Sequence, residues 1–312
     1  MKNILVISYS QSGQLAGIVA ALARPLETGG IGVHHEVLRS DPAFPFPWPF
    51  FTFFDAFPES VCLDPRPNKP LAIPTDVRFD LVILAWTVWY LSPSQPITAF
   101  LQSAEGKRLL AGKPVVSLVA CRNMWFSAFD TLKTLVAEAG GRLVDHVALI
   151  DESPALVTFI TTPRWMLTGR RNRFLGLPPA GITAQQTAGT ARFGEALAEA
   201  LARDAEKTGQ PMLSGLCAVK VTPHLAMSER IAHRAFRVWS KLVRLCGCAG
   251  QWRRIPALIL FIIYLIVIIL TVVPINFVLQ RLAAPLLARR AAAIIRHYEQ
   301  PSGADATRMI HE

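Results

Sequence analysis

The chain has 312 residues, enough for one large domain or two modest ones, and with 52% hydrophobic and 17% charged residues it is greasier than an ordinary soluble enzyme. Its net charge of +10 is concentrated, with +9 in residues 230–312 and +1 in residues 1–229. The folded part has no zinc-type spacing, no helix-turn-helix pattern and no basic stripe, so this balance argues against nucleic acid and for a basic tail at a membrane surface.

The elements follow in chain order. Residues 3–8 (NILVIS) read as a first strand, the apolar run being too short for a signal-peptide core. Residues 14–27 place Leu15, Ile18, Val19, Leu22 and Leu26 at helical spacing. A second strand is expected at 35–38. The runs 79–85 (FDLVILA) and 115–120 (VVSLVA) have the continuous apolar character of strands buried on both faces. A helix at 125–139 is stopped by Gly140 and Gly141, a fifth strand follows at 143–150, and an Ala-rich amphipathic helix covers 188–207. Five buried strands alternating with helices predict an α/β fold with a doubly wound, five-stranded parallel sheet.

Residues 208–254 read as a connector followed by a basic juxtamembrane helix. Residues 255–279 (IPALILFIIYLIVIILTVVPINFVL) hold no charged residue. At about 1.5 Å per residue, some 20 helical residues cross a bilayer core, so this is a transmembrane or membrane-inserted helix. Pro274 and Asn276 mark a kink or an interface near its end. Arg234, Arg237, Lys241, Arg244, Arg253 and Arg254 precede it, and Arg281, Arg289, Arg290 and Arg296 follow it. The imbalance favours the large N-terminal domain on the cytoplasmic side of a bacterial inner membrane. Basic residues on both flanks also leave open a segment that enters and leaves on one face. Residues 280–312 read as a basic tail, with 281–297 amphipathic and suited to the membrane surface. The five cysteines (Cys62, Cys121, Cys217, Cys246, Cys248) form no CxxC pair, which disfavours a disulfide framework and favours a reducing compartment. No metal-ligand set is expected.

The loop after the first strand, Ser8-Tyr9-Ser10-Gln11-Ser12-Gly13-Gln14, ends a strand and opens a helix. Backbone N–H groups at the helix start and serine hydroxyls can hold a phosphate there without a Lys or Arg. The Walker pattern GxxxxGK[ST] and the GxGxxG fingerprint are both absent from it. The loop resembles the hydroxyl-rich loop with which flavodoxins hold the FMN phosphate. Ser10, Ser12 and Gly13 match that pattern, with Gln11 and Gln14 between and beside them, and Leu15 stands where a third hydroxyl is frequent.

Two more loops fall at strand ends where a doubly wound sheet binds ligands. Trp86-Thr87-Val88-Trp89-Tyr90-Leu91-Ser92-Pro93 resembles the ring-binding loop of flavodoxin-like flavin and quinone reductases. Cys121-Arg122-Asn123-Met124-Trp125 occupies the place of the second ring-binding loop. Aromatics at both suit a flat apolar cofactor, although core packing serves Trp86 or Trp89 singly just as well. Residues 1–207 are therefore expected to be a flavodoxin-like FMN-binding domain with an aromatic and proline-rich insertion at 41–75.

Within that insertion, 42–58 (PAFPFPWPFFTFFDAFP) alternates Pro with Phe and Trp, which argues against a regular helix or an inner strand. It covers the fold itself, an apolar substrate or the membrane face. A further loop, 161–171, carries Arg170 and Arg171. These are either solvated or hold an anionic group, such as a nicotinamide cofactor's phosphate or a carrier protein's phosphopantetheine arm.

PFPWPFF…FDAFPESV, CRNMW, TFITTPRWMLTGRR, PPAGI and VVPIN together resemble the dialkylresorcinol-condensing enzyme family over nearly the whole chain. The resemblance implies a role in making dialkylresorcinol lipids of bacterial pigments. A flavin domain implies redox chemistry, and no ketosynthase-type Cys-His-Asn or Cys-His-His set is present. The expectation is thus a flavin-dependent oxidation of a dialkylated cyclohexanedione to the resorcinol, with FMN as cofactor. Arg122 and Asn123 would stabilise the oxygen and Tyr90 would transfer the proton, while His146 reads as structural. Expected partners are a lipid-like alkylated substrate, the membrane, and an acyl carrier protein or ketosynthase, with no nucleic acid. The competing readings are a membrane-bound NAD(P)H-dependent FMN or quinone reductase, an electron-carrier flavodoxin, which the lack of an acidic face disfavours, and a membrane-tethered scaffold without flavin.

Overall fold

The computed structural model describes residues 1–74 and 76–309, without the side chains of residues 155, 272, 273 and 276–287. The β-branched runs form strands β1 (Asn3–Ser8), β2 (Gly32–Val37) and β3 (Leu81–Trp86). A short hairpin of β4 (Val88–Trp89) and β5 (Ser92–Pro93) follows, then the helices α4 (Gln95–Gln102) and α5 (Ala104–Leu110), and after them β6 (Pro114–Cys121) and β7 (Arg142–Ile150). The five long strands form one parallel sheet in the order β2-β1-β3-β6-β7. Counting those five alone, the order is 2-1-3-4-5, so the domain is flavodoxin-like and doubly wound, with its switch point between β1 and β3.

Burial explains the composition of the strands. Every residue of β3 is buried, and β6 is buried to its last residue, because helices cover both faces. α1 (Gln14–Thr28) turns its expected apolar stripe onto the sheet and packs beside α9 (Ala191–Ala202). That contact is close: a Cβ on Gly194 would stand 2.0 Å from the Leu22 carbonyl oxygen. α6 (Phe126–Glu138) lies on the opposite face, where His146, expected to be structural, is enclosed. Its ring stacks on Phe129 at 3.8 Å, and its Nδ1 lies 3.1 Å from the Ser117 hydroxyl.

Two expectations change. The stretch 42–58 contains short helices, α2 (Phe50–Asp55) and α3 (Phe57–Cys62). Its prolines sit where helices tolerate them, with Pro49 as the N-cap of α2 and Pro58 in the first turn of α3, where no N–H is needed. The stretch 161–171 is mostly helix as well. α7 (Ala155–Thr168) runs through Pro163 and ends at Gly169, whose φ of 71° supplies the left-handed cap.

Past the sheet, α8 (Ala184–Ala188) opens on a capping box formed by Thr183 and Gln186. α10 (Pro223–Leu245) is the basic helix, already begun inside the stretch expected to be a connector. α11 (Ile255–Val267), a π-helical turn at Ile268–Val272 just before Pro274, and α12 (Val273–Glu299) carry the apolar segment. Trp252–Thr271 is long and apolar enough to cross a membrane by length and composition. Arg281 and the first part of the expected amphipathic face, residues 281–287, lie outside the described side chains; in the rest Arg289, Arg290 and Arg296 are exposed while Ile294 and Ile295 are half-buried.

Candidate functional site

β1, β3, β6 and β7 deliver four loops to one edge of the sheet. At the end of β1, Gly13 adopts φ 81°, a left-handed conformation that only glycine takes without strain, and caps the start of α1. A Cβ there would meet open space, and the Ser10 hydroxyl accepts from the Ala16 amide at 3.2 Å. Ser10 and Ser12 remain partly exposed beside the first amides of the helix. This is the arrangement that suits an anion. Gln14 instead turns aside, bonding the Ile182 backbone in both directions at 2.9 and 3.1 Å. Leu15 is buried in the core, so only its backbone is available to a ligand.

At the end of β3 the sequence-expected residues separate. Trp86 is fully enclosed, and its indole N–H donates to the Ser117 hydroxyl at 2.8 Å. It therefore belongs to the core rather than to a ring-binding surface, because residue 86 is still inside β3 and its side chain faces the α6 side of the sheet. Thr87 follows, its hydroxyl buried and without a hydrogen-bond partner among the described residues, as are those of Ser92 and Ser94. Val88 and Trp89 form one side of the hairpin and stay partly exposed. Three rings approach Trp89 edge-on, Tyr9 at 5.8 Å, Phe44 at 4.9 Å and Trp48 at 5.3 Å.

Tyr90 and Leu91 at the hairpin tip both have positive φ, 51° and 61°, a strained choice for non-glycine residues. The strain points Tyr90 into the insertion. Its hydroxyl donates to the Phe53 carbonyl, and its ring lies 5.4 Å from Phe53 and 5.3 Å from Phe57. Burial holds its pKa well above the ordinary tyrosine value. A hydroxyl so placed is a clasp for the insertion, and the expected proton-transfer role for Tyr90 gives way to that.

At the end of β6, Arg122 is the distinctive group. Its guanidinium lies 3.9 Å over the Phe159 ring of α7, and one N–H reaches the Met124 sulfur at 3.7 Å. It makes no salt bridge among the described residues. Burial lowers its pKa to about 10 although Asp151 pulls in the other direction. Asn123 is half-buried beside it, and Cys121 is a thiol whose pKa burial raises. Trp125 is buried, 4.5 Å from Phe126 and 5.1 Å from His146, and supports the loop from below.

Two carboxylates escaped the sequence reading. Asp151, just past β7, is 2% exposed; it accepts the Ser153 amide at 2.9 Å and the Gly181 amide at 2.7 Å. It also lines a cavity of about 1180 Å³ beside Gly13, Gln14 and Arg171. Glu229, on α10, is fully enclosed and accepts the Phe126 and Ser127 amides, at 3.3 and 2.6 Å, at the start of α6. Burial raises its pKa to about 7. No local motif marks either one: Asp151 opens an Asp151-Glu152 pair at a strand end, and Glu229 is the one acid of α10. Arg171 is pinned, donating to the Ala180 carbonyl at 2.6 Å and to the Ile182 carbonyl, while Arg170 is exposed. The insertion roofs the loops. Gln11 donates to the Pro45 carbonyl at 2.7 Å, and the Trp48 amide donates to the Met166 carbonyl at 2.9 Å.

No protein-family model matches the sequence, and no curated protein matches it. Among solved structures, a flavoprotein in complex with FMN from Lactobacillus acidophilus NCFM aligns at 14% identity over 47% of this chain and 93% of that one, with a TM-score of 0.39. A flavodoxin from the domain Archaea aligns at 12% identity over 65% of this chain and 99% of its own, with a TM-score of 0.36. Oxidised flavodoxin 1 from Bacillus cereus aligns at 14% identity over 62% of this chain and 95% of its own, with a TM-score of 0.33.

Proposed function

We propose that this chain is a membrane-attached FMN protein that oxidises a dialkylated cyclohexanedione lipid to the aromatic resorcinol. The observation that carries the proposal is Arg122, a half-buried cation at the sheet's ligand edge whose guanidinium lies over the Phe159 ring and makes no ion pair among the described residues. Such a group costs stability where it stands and is suited to an oxygen that becomes anionic. The resemblance of CRNMW and its companion strings supplies the substrate class.

The residues present fit FMN. Ser10, Ser12 and the amides around Gly13 would hold its phosphate, and the buried, unpartnered hydroxyl of Thr87 offers a polar contact at the ring end. FMN, when bound, supplies a two-electron acceptor. The rest falls to the chain. Aromatisation removes two hydrogens from the dione ring, one as hydride and one as a proton. Arg122 donates N–H bonds to the ring oxygen and stabilises the enolate, with Asn123 as a second donor. Asp151 is the carboxylate that takes the proton, since each of its oxygens keeps a lone pair beyond its amide bond. The aromatic roof keeps bulk water away.

The test is the visible spectrum of the anaerobic protein with the dione added. The wild-type flavin bands should bleach, and Arg122→Met should remain yellow but react about 100-fold more slowly. A colourless chain that takes up no FMN would sink the redox reading. Bleaching by NADPH alone, unaffected by the lipid, would favour a reductase.

A further inference from the structure

The apolar segment leaves one domain and comes back to it. Before the segment, Arg254 is 1% exposed and forms ion pairs with Asp55 at 3.1 Å and Glu59 at 2.5 Å, both in the insertion. Phe261 stacks on Phe57 at 4.0 Å, and Tyr264 lies 5.2 Å from Trp239 of α10. After the segment, the Tyr298 hydroxyl donates to Asp130 of α6 at 2.7 Å, and Arg230 of α10 lies 5.9 Å over its ring. The Ser302 hydroxyl then donates to Asp145 at 2.7 Å and accepts the His146 amide at 2.7 Å, inside the core beside β7. The Cys217 amide bonds the Asp305 carbonyl at 2.6 Å, and Arg308 reaches the Met212 carbonyl at 3.2 Å.

These anchors fix the path. Arg230 and Trp239 share one helix and lie about 14 Å apart, so Tyr298 and Tyr264, their respective neighbours, are on the order of 25 Å apart. A straight helix would separate those two tyrosines by about 50 Å. The chain therefore turns back between them, and the π-helical turn followed by Pro274 marks a place where the regular hydrogen-bond ladder is broken.

We propose that this segment is a re-entrant hairpin dipping into one leaflet of an anionic phospholipid bilayer, with α10 lying in the headgroup plane. The proposal rests on the membrane attachment in the reading above. The surface fits that occupant. Leu260, Ile263 and Leu270 of the segment are 51–70% exposed, far more than an apolar helix in a protein core. α10 bears an exposed apolar stripe, Ile231, Val238, Leu242 and Leu245. About 90° round the same helix runs a second stripe, Arg230, Arg234, Arg237, Lys241 and Arg244. Acyl chains would cover the first stripe, and anionic headgroups would neutralise the members of the second other than Arg244, which pairs with Asp64 at 2.6 Å.

The test uses full-length chains in right-side-out and inside-out membrane vesicles, with a membrane-impermeant maleimide. One form keeps Cys248 alone, and the other carries Met309→Cys alone, with the remaining cysteines changed to alanine. Both positions are exposed, one before and one after the segment. Both should be labelled in the same vesicle population and protected in the other. Labelling in opposite populations would mean a single crossing and overturn the proposal, as would release of the protein by an alkaline carbonate wash. Protease access to terminal tags on the chain with its native cysteines, expected at one face for both termini, covers the case in which a cysteine variant fails to fold. None of these readouts uses flavin colour, so a colourless protein would sink the redox reading and leave this one standing.

Discussion

At the scale of single residues, the site is defined by where charge has been buried and how it is satisfied. Tyr90 illustrates a polar group whose bond is structural. Tyr90→Phe should lower stability by about 1 kcal/mol through the lost bond to the Phe53 carbonyl, read as a shift in denaturant midpoint. The rate of dione oxidation should hold; a loss comparable to that of Arg122→Met would return Tyr90 to the chemistry. Glu229 gives a pH signature. Its pKa rises from 4.5 unfolded to about 7 folded because burial disfavours the carboxylate. The folded state thus binds the proton more tightly, and stability from this group is full below pH 4.5 and is lost as pH rises towards 7. Asp145, raised to about 6, acts in the same direction, while His146, lowered to about 3, acts in the opposite one. Glu229→Gln removes one component of the sum. Relative to wild type, the variant should gain on the order of 2–3 kcal/mol between pH 4.5 and 7 in denaturant titrations. A pH-independent difference would show that the carboxyl does not titrate there.

At the scale of elements, the sheet needed no tertiary information to be recognised, because its central strands are continuous apolar runs and its helices repeat at 3.6 residues. The insertion is different. Its alternation of Pro and aromatic residues was legible as irregular, yet α2 and α3 form because the prolines fall at helix starts. Its function as a roof depends on contacts with Trp89 and Met166 that no local pattern encodes. The α1–α9 contact shows the same division. Ala-rich character predicts a packed helix, but only the structure shows that Gly194 lets it approach the Leu22 carbonyl. Gly194→Ala should push the helices apart and cost about 1–3 kcal/mol, despite alanine's better helix propensity. A stability equal to or above wild type in thermal unfolding would contradict this packing.

At the scale of the whole molecule, two aromatic groupings run in series from the loop edge to the apolar segment. Phe44 and Trp48 pack on Trp89, while Phe57 joins Tyr90, Phe236 and Phe261. The roof of the site is thereby the base of the apolar segment. A lipid-like ring carried in a leaflet would meet these aromatics before it meets Arg122. Under the proposed topology the basic charge of the tail is an interface charge, and the return of residues 297–309 to β7 and its neighbours makes the tail part of the domain's packing.

The amino-acid sequence alone determined what depends on local pattern. Strand and helix identity, the serine-rich turn with Gly13, the uncharged segment and the uneven charge all follow from residue type and spacing within a few turns of chain. The tertiary structure decided what depends on distant partners. Trp86 faces Ser117 rather than a ligand, Tyr90 clasps Phe53, Arg122 lacks a carboxylate among the described residues, and Asp151 and Glu229 enter the site from loops and helices remote in sequence. The physical reason is that side-chain direction and desolvation are set by neighbours brought together across long stretches of chain. The path of the apolar segment belongs to the same class: its composition fixes that it is apolar and uncharged, and only the anchors at Arg254 and Ser302 show that the chain after it returns to the domain.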